Sequence, residues 1–343
     1  MKQIIDGEAL KPFIHNAFRT EFDPDGVLYA SRFTEKQVGC FAYESNKLAG
    51  DLYARAQASS SVTIDLMTDS SFIGIDFTSK FWIGNTRKIV DLVVDGKLMT
   101  GYALKREYAT PKQMAFVLPK GMHHVQIFIP FGTQIGVKDI IVDEKASVLP
   151  APEKDLRIIS FGDSITQGYL GSHTAMNYVG RMITGLNAEV LNQGAGGYYF
   201  EAEVLDPALS SWQPDLITIA FGTNDYGYRP TPELFETSVR NYMESLTAVF
   251  PGVPVLGIMP IYRADAILIS RGLMWDFQFE DAMEILRTVY ASYPQVTVLE
   301  ADYFPQVPDF RVEDRVHPND AGFLLYGEAV VNKIRSMNIK GRK

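Results

Sequence analysis

Four short stretches carry groups that could work on an ester: a serine, an asparagine, a run of glycines with its backbone N–H donors, and a histidine three residues after an aspartate. The apolar run Ile158-Ile159-Ser160-Phe161 ends in Gly162-Asp163 and delivers Ser164 where a helix can begin. Strand ends of this kind are where loops and helix N-termini converge on ligands in α/β sheets. A second apolar run leads into Asn192-Gln193-Gly194-Ala195-Gly196-Gly197, whose glycines let backbone N–H groups approach a ligand closely. A third ends in Gly222-Thr223-Asn224-Asp225, where the Asn224 carboxamide can donate. Asp314-Arg315-Val316-His317 stands just before the final helix.

Together these are the parts of nucleophilic acyl chemistry. A serine hydroxyl is a weak nucleophile until a base takes its proton. Histidine titrates near neutrality, so it can take that proton and return it to the leaving alkoxide. A carboxylate must hold the imidazole tautomer and stabilise the cation, and Asp314 is close enough to His317 for a local turn to bring it to Nδ1. The oxyanion needs fixed donors, each worth roughly 3 to 4 kcal/mol. The Ser164 N–H, a glycine-loop N–H and Asn224 could supply three.

The four blocks, in this order, resemble the SGNH hydrolases, also called the GDSL family, over about Leu156 to Met337. Gly162-Asp163-Ser164-Ile165 resembles the nucleophile block, Asn192 to Gly197 the second, Gly222 to Asp225 the third, and Asp314 to His317 the closing one. The resemblance implies Ser164, His317 and Asp314 as catalytic residues. It implies Ser164, Gly197 and Asn224 as oxyanion donors, with Gly196 the alternative to Gly197. Gly162-Asp163-Ser164-Ile165-Thr166 has no glycine two residues after the serine, which disfavours the elbow of the α/β-hydrolases. A preceding β-sandwich is similar to the group that holds the family-2 carbohydrate esterases and some acyltransferases. Several of those sugar deacetylases lack the acidic triad member; Asp314 is present here, so a full triad is expected.

Each residue alone also has an ordinary reading. Ser164 could cap a helix, Asn224-Asp225 could be a turn, Asp314 a solvated carboxylate and His317 a loop residue before a proline. Asp163 suits pinning the loop through backbone N–H groups better than moving protons. Tyr198, Tyr199, Tyr226, Tyr228 and Trp275 form either a sugar-stacking platform or plain packing. Arg263 would bind a carboxylate or hold a loop, a salt bridge being the simpler reading.

The elements that must position these residues fall into two regions. Beyond the Lys145–Asp155 linker, strands Leu156–Phe161, Glu189–Asn192, Asp215–Phe221, Val253–Met259 and Val296–Leu299 alternate with helices. Helices are expected over Met176–Leu186, from Thr231-Pro232 to Pro251-Gly252, over Phe279–Tyr293 and over Asp320–Met337. Fully apolar strands alternating with helices imply a parallel sheet covered on both faces. Up to Pro150 the chain reads as short strands without a long amphipathic helix, including a hairpin with Asp95-Gly96 at its tip. The expected fold is therefore α/β. The resemblance implies that 151–343 is a three-layer α/β/α, flavodoxin-like SGNH hydrolase domain and that 1–150 is an all-β, jelly-roll-like sandwich of carbohydrate-binding type.

Charge narrows the partners. Residues up to Pro150 hold 17 Lys+Arg and 17 Asp+Glu, and the remainder holds 15 and 24, so the net −9 sits on the C-terminal part. That surface repels polyanions, which argues against nucleic acid and acidic membranes. Cys40 is the single cysteine, which excludes an intrachain disulfide and a thiolate metal cage. His123 and His124 are adjacent in a strand and point to opposite faces, one expected buried and one exposed. His15 and His173 have no partner at a ligand spacing. No metal and no cofactor are expected. Without an apolar leader or a membrane-length run the cytoplasm is the expected compartment, with secretion open if a leader has been trimmed. The expected activity is hydrolysis of short acyl esters, acetyl foremost, of a carbohydrate or small alcohol. The alternatives are acyl transfer to an alcohol and, from another class, an inactive carbohydrate-binding protein.

Overall fold

The computed structural model describes residues 2–47, 51–84, 87–106, 112–229, 231–263 and 278–341. Two antiparallel sheets are built before residue 151. The first contains β1 (Lys2–Asp6), β3 (Arg19–Phe22), β4 (Leu28–Ser31), β6 (Phe72–Lys80), β9 (Lys112–Val117) and β11 (Gln134–Asp143). The second contains β2 (Ile14–His15), β5 (Thr63–Thr68), β7 (Ile89–Val94), β8 (Lys97–Ala103), β10 (His123–Phe128) and β12 (Val148–Pro150). Alternate residues of the two, such as Ile64, Leu66 and Val125 against Ile73, Ile75 and Ile140, share one buried core, which makes the pair a sandwich. Asp95 and Gly96 both take positive φ at the β7–β8 tip, as a primed turn requires.

The outer face of the second sheet is covered as well. Asp65 and Asp91 point away from the sandwich core yet are fully buried. Val93 and Phe128 join a core cluster built mostly from residues beyond 155. Asp65 takes the Lys154 ammonium at 2.8 Å, and β12 pairs with Leu66–Thr68 of β5. Much of the stretch expected to be a linker is therefore fixed to the sandwich rather than free of it.

The third sheet is parallel: β13 (Leu156–Gly162), β14 (Ala188–Gly194), β15 (Leu216–Ala220), β16 (Val255–Ile258) and β17 (Val296–Leu299), in the order β14-β13-β15-β16-β17. The order reverses between β13 and β15, the switch point at which such sheets open a crevice. Side-chain alternation divides the two faces. Ile158, Val190, Leu216 and Leu256 pack on α4 (Tyr178–Gly185) and α8 (Asp320–Ser336). Ile159, Phe161, Leu191 and Ile217 pack on α6 (Pro232–Val249) and α7 (Phe279–Ala291). Two short helices, α3 (Ser164–Gln167) and α5 (Thr223–Tyr228), start beyond the ends of β13 and β15. This is the α/β class with a preceding sandwich that the sequence predicts.

Two helices before residue 60 depart from the sequence reading. α1 (Glu35–Lys47) and α2 (Leu52–Gln57) lie in the region read as strands alone. Phe33, Phe41, Leu52 and Ala56 belong to the core formed by Leu191, Ala195 and Tyr198. They extend the helical layer over the edge strand β14. Val38 and Phe41 are spaced for one face, but Gly39 and Cys40 between them leave no clear apolar stripe.

Candidate active site

β13 stops at Gly162, and Asp163 caps α3 by accepting the Ile165 N–H at 2.9 Å. Ser164 is thus the first helical residue and Asp163 the cap, which corrects the reading of the serine as a cap. Burial pushes the Asp163 carboxyl up to about 6, against the opposing pull of the Ile165 N–H, His317 and Arg263. Asp163 pins the loop through a backbone N–H, as its type suggests. Gly168 closes the turn at φ +89°, and Tyr169 N–H returns to the Ser164 carbonyl at 2.8 Å.

Asp314 and His317 meet within one turn. Asp314 Oδ1 accepts the N–H groups of Val316 and His317, each at 2.9 Å, which leaves Oδ2 facing His317 Nδ1 at 2.5 Å. Desolvation alone would raise the Asp314 carboxyl, but the bonds from His317 and Val316 outweigh it and hold it at about 2. A carboxylate only accepts, so Nδ1 carries the proton and Nε2 is left as the acceptor. Nε2 lies 2.7 Å from Ser164 Oγ. The Tyr169 ring stands edge-on to the imidazole, centroids 4.9 Å apart, and is itself backed by Phe131 of the sandwich at 5.4 Å. Arg311 holds the loop from below, donating to the carbonyls of Pro305, Val307 and Tyr262.

The glycine loop and the Asn224 loop emerge beside the serine. Gly162 pairs with Gly194 on one side and Ala220 on the other, so the loops after β14 and β15 flank Ser164. Within 158–168, 190–200 and 216–226 every residue is buried except Ser164, Gly197 and Asn224 respectively. Gly196 donates its N–H to Gln167 Oε1 at 2.8 Å, whereas Gly197, at φ +81°, has no acceptor for its N–H among the described residues. Asn224 Nδ2 donates to the Tyr198 carbonyl at 2.9 Å, tying the third loop to the second and leaving one amide hydrogen.

The other candidates divide. Tyr198, Tyr199 and Tyr226 are buried, only Tyr228 is exposed, and Trp275 lies outside the described residues. A row of rings for sugar stacking is thus absent among the described residues. Arg263 donates to the Thr223 carbonyl at 2.7 Å, next to Asn224. His123 and His124 are both half-buried, not one buried and one exposed; they bond Asp95 and Asp65 on separate faces. His15 and His173 do have carboxylate partners, Glu189 at 2.9 Å and Asp91 at 2.7 Å, each across the contact between sandwich and parallel-sheet regions. Among the described residues there is no group of three potential metal ligands and no helix long and apolar enough to cross a membrane. Cys40 lies half-buried on α1.

Several supports escaped the sequence. The fully buried Arg32 guanidinium donates to the carbonyls of Ala58, Asn192, Gly194 and Arg55, at 2.5 to 3.0 Å. Burial lowers it to about 9, with no carboxylate bonded to it among the described residues. Arg55 on α2 donates to the Gly196 carbonyl.

Residues 160–325 match the GDSL-like Lipase/Acylhydrolase family, as the four blocks imply. No curated protein matches the chain. Among solved structures, a salicylyl-acyltransferase from a tetracycline biosynthetic pathway superposes with a TM-score of 0.78 at 18% identity, covering 98% of both chains. A family two carbohydrate esterase from Cellvibrio japonicus gives 0.64 at 16% identity, again over 98% of both. Another from Clostridium thermocellum, in complex with cellohexaose, gives 0.62 at 18% over 82% of this chain and 93% of that one. The shared fold thus includes the sandwich with the parallel-sheet unit.

Proposed function

We propose that the chain is a serine esterase that removes short acyl groups, acetyl foremost, from a carbohydrate or small alcohol. The observation that carries this reading is the line Asp314 Oδ2–His317 Nδ1 at 2.5 Å and His317 Nε2–Ser164 Oγ at 2.7 Å. His317 Nε2 takes the Ser164 proton as Oγ attacks the ester carbonyl, and Asp314 stabilises the imidazolium. The N–H groups of Ser164 and Gly197 and the second amide hydrogen of Asn224 bind the oxyanion. Collapse expels the alkoxide, which takes the proton from Nε2. Water, deprotonated at the same nitrogen, then attacks the acyl-enzyme; collapse breaks the Oγ–acyl bond, Nε2 returns the proton to Ser164 Oγ, and the acid leaves. In this reading residues 151–343 form the catalytic unit. Residues 1–150 form a sandwich that lends α1 and α2 to the catalytic core and walls the site through Phe131 and Tyr169. The net negative charge of the C-terminal part suits a neutral ester, and carbohydrate esterases are among the structural neighbours.

Comparing p-nitrophenyl acetate hydrolysis by the protein and by Ser164→Ala tests the chemistry. Equal rates would remove the assignment. Screening acetylated oligosaccharides and small acetate esters for released acetate then tests the substrate class.

Acyl transfer is the second reading, supported by the salicylyl-acyltransferase that superposes over 98% of both chains. The acyl-enzyme is the same and an alcohol replaces water. If graded acceptor alcohols divert no acyl group from the free acid, transfer is excluded for those acceptors.

A further inference from the structure

The second loop meets the oxyanion through a single peptide unit, and a residue 141 positions earlier holds the other side of that unit. Gly196 C=O and Gly197 N–H belong to one trans peptide and point in opposite directions. Arg55 Nη1 donates to the Gly196 oxygen, while the Gly197 N–H has no acceptor among the described residues. The preceding N–H, of Gly196, is bound by Gln167 Oε1 at 2.8 Å, and Gln167 Nε2 donates to the Arg55 carbonyl at 3.0 Å. Arg55, Gln167 and Gly196 thus close a ring. Arg32 fixes that ring by donating to the same Arg55 carbonyl at 2.9 Å and to Asn192 and Gly194 at 2.5 and 3.0 Å. A Cβ at Gly196 or Gly197 would lie within 3.2 or 3.1 Å of Arg55 Nη1, so the guanidinium rests directly on the loop.

We propose that Arg55 is a positioning residue for the oxyanion hole: its guanidinium on the Gly196 carbonyl fixes and polarises the 196–197 peptide so that the Gly197 N–H faces the oxyanion. Hydrogen bonds in a chain strengthen one another, and a charged donor on the carbonyl makes the N–H of the same unit a better donor. The peptide is then preorganised before charge develops, which is what transition-state stabilisation requires. The role rests on the reading of Ser164 as the acyl-accepting nucleophile. It gives α2 a function: an element from the first 60 residues completes the machinery around a serine at 164.

Arg55→Met keeps the stem and removes the donors; Arg55→Lys keeps one charged donor. With p-nitrophenyl acetate, Arg55→Met lowers kcat about tenfold to a hundredfold, below the full effect of deleting an oxyanion donor, and changes KM less than about twofold. The pH profile of kcat/KM is unchanged, since His317 and Asp314 are untouched. Inhibition by butylboronic acid, which forms a tetrahedral adduct on serine, weakens by the same factor as kcat. Arg55→Lys recovers most of the rate. Thermal midpoints are recorded throughout, and if Arg55→Met unfolds, Arg55→Gln takes its place. Wild-type kcat in Arg55→Met or Arg55→Gln alongside an inactive Ser164→Ala overturns the role of Arg55 and leaves the esterase reading intact. A rise in KM alone also overturns it, making Arg55 a substrate contact. A fully active Ser164→Ala removes the esterase reading itself.

Discussion

Asp314 and His317 are three residues apart and bonded twice, through Oδ2 to Nδ1 at 2.5 Å and through Oδ1 to the His317 N–H at 2.9 Å, while the same Oδ1 also accepts the Val316 N–H at 2.9 Å. The turn that places the carboxylate is built by the carboxylate. Orientation of the imidazole therefore depends on a local device, with Arg311 anchoring its base, more than on long-range packing.

Asp314→Asn separates turn geometry from tautomer control. The carboxamide oxygen can still accept the two backbone N–H groups, so its NH2 faces Nδ1. Nδ1 must then accept, the ring proton moves to Nε2, and Ser164 loses its base. We expect kcat to fall roughly 10³- to 10⁴-fold with little change in fold. A loss below about tenfold in ester hydrolysis would show that Asp314 does not set the tautomer.

Buried acids near the site make stability depend on pH in an identifiable direction. Burial raises Asp163 to about 6 and Asp225 to about 7, each above an unfolded value near 3.9. For an acid raised in the folded state, the native form holds more protons than the unfolded form between the two values. Stability from these groups is therefore highest below about pH 4 and falls as pH rises toward 6 and 7. Asp163→Asn keeps an oxygen for the Ile165 N–H and removes one such term. We expect its denaturation midpoint to exceed wild type at pH 8, by about 1 to 3 kcal/mol in ΔG, and the gap to close near pH 4. Chemical denaturation at the two pH values checks this. A constant gap would assign the effect to something other than ionisation.

Local patterns were legible in the sequence, and backbone contacts over long distances were not. The runs ending at Gly162, Gly194 and Ala220 announce the strands because their faces alternate into two cores. The Asp-x-x-His turn is readable because its partners are three residues apart. The proposal of Gly197 rather than Gly196 as the oxyanion donor rests on the Gln167–Gly196 bond, a contact between a side chain and a backbone group that carries no mark in the sequence. Arg32 and Arg55 left no signal for the same reason: they bind carbonyls, which every residue has. α1 is hard to read from the sequence because Val38, Cys40 and Phe41, which pack inward among its described residues, are interrupted by Gly39, and the surface they cover lies some 150 residues later.

That misread helix has a measurable consequence. Phe41 is 1% exposed and meets Phe33 and Tyr198 edge-on at 5.0 and 4.9 Å. Phe41→Ala removes contacts inside the core of the parallel sheet, so it should destabilise by about 3 to 5 kcal/mol. An isolated sandwich appendage would lose less than about 1 kcal/mol, and denaturant titration distinguishes the two.

Two substitutions test the role proposed for Asn224 in the oxyanion hole, and they make opposite demands on it. One Nδ2 hydrogen is committed to the Tyr198 carbonyl at 2.9 Å. In Asn224→Ala both donors vanish, and kcat is expected to fall about 10²- to 10³-fold with KM nearly unchanged. In Asn224→Asp an acceptor replaces the donor, so a carboxylate faces the Tyr198 carbonyl on one side and the developing oxyanion on the other. Both contacts become repulsive, and the aspartate variant should be slower than the alanine one despite its closer shape. If the only task of Asn224 were to tether the Tyr198 loop, boronate inhibition would weaken far less than kcat in both variants. A common factor in kcat and boronate affinity places the amide on the oxyanion, and an aspartate variant faster than alanine would take it off.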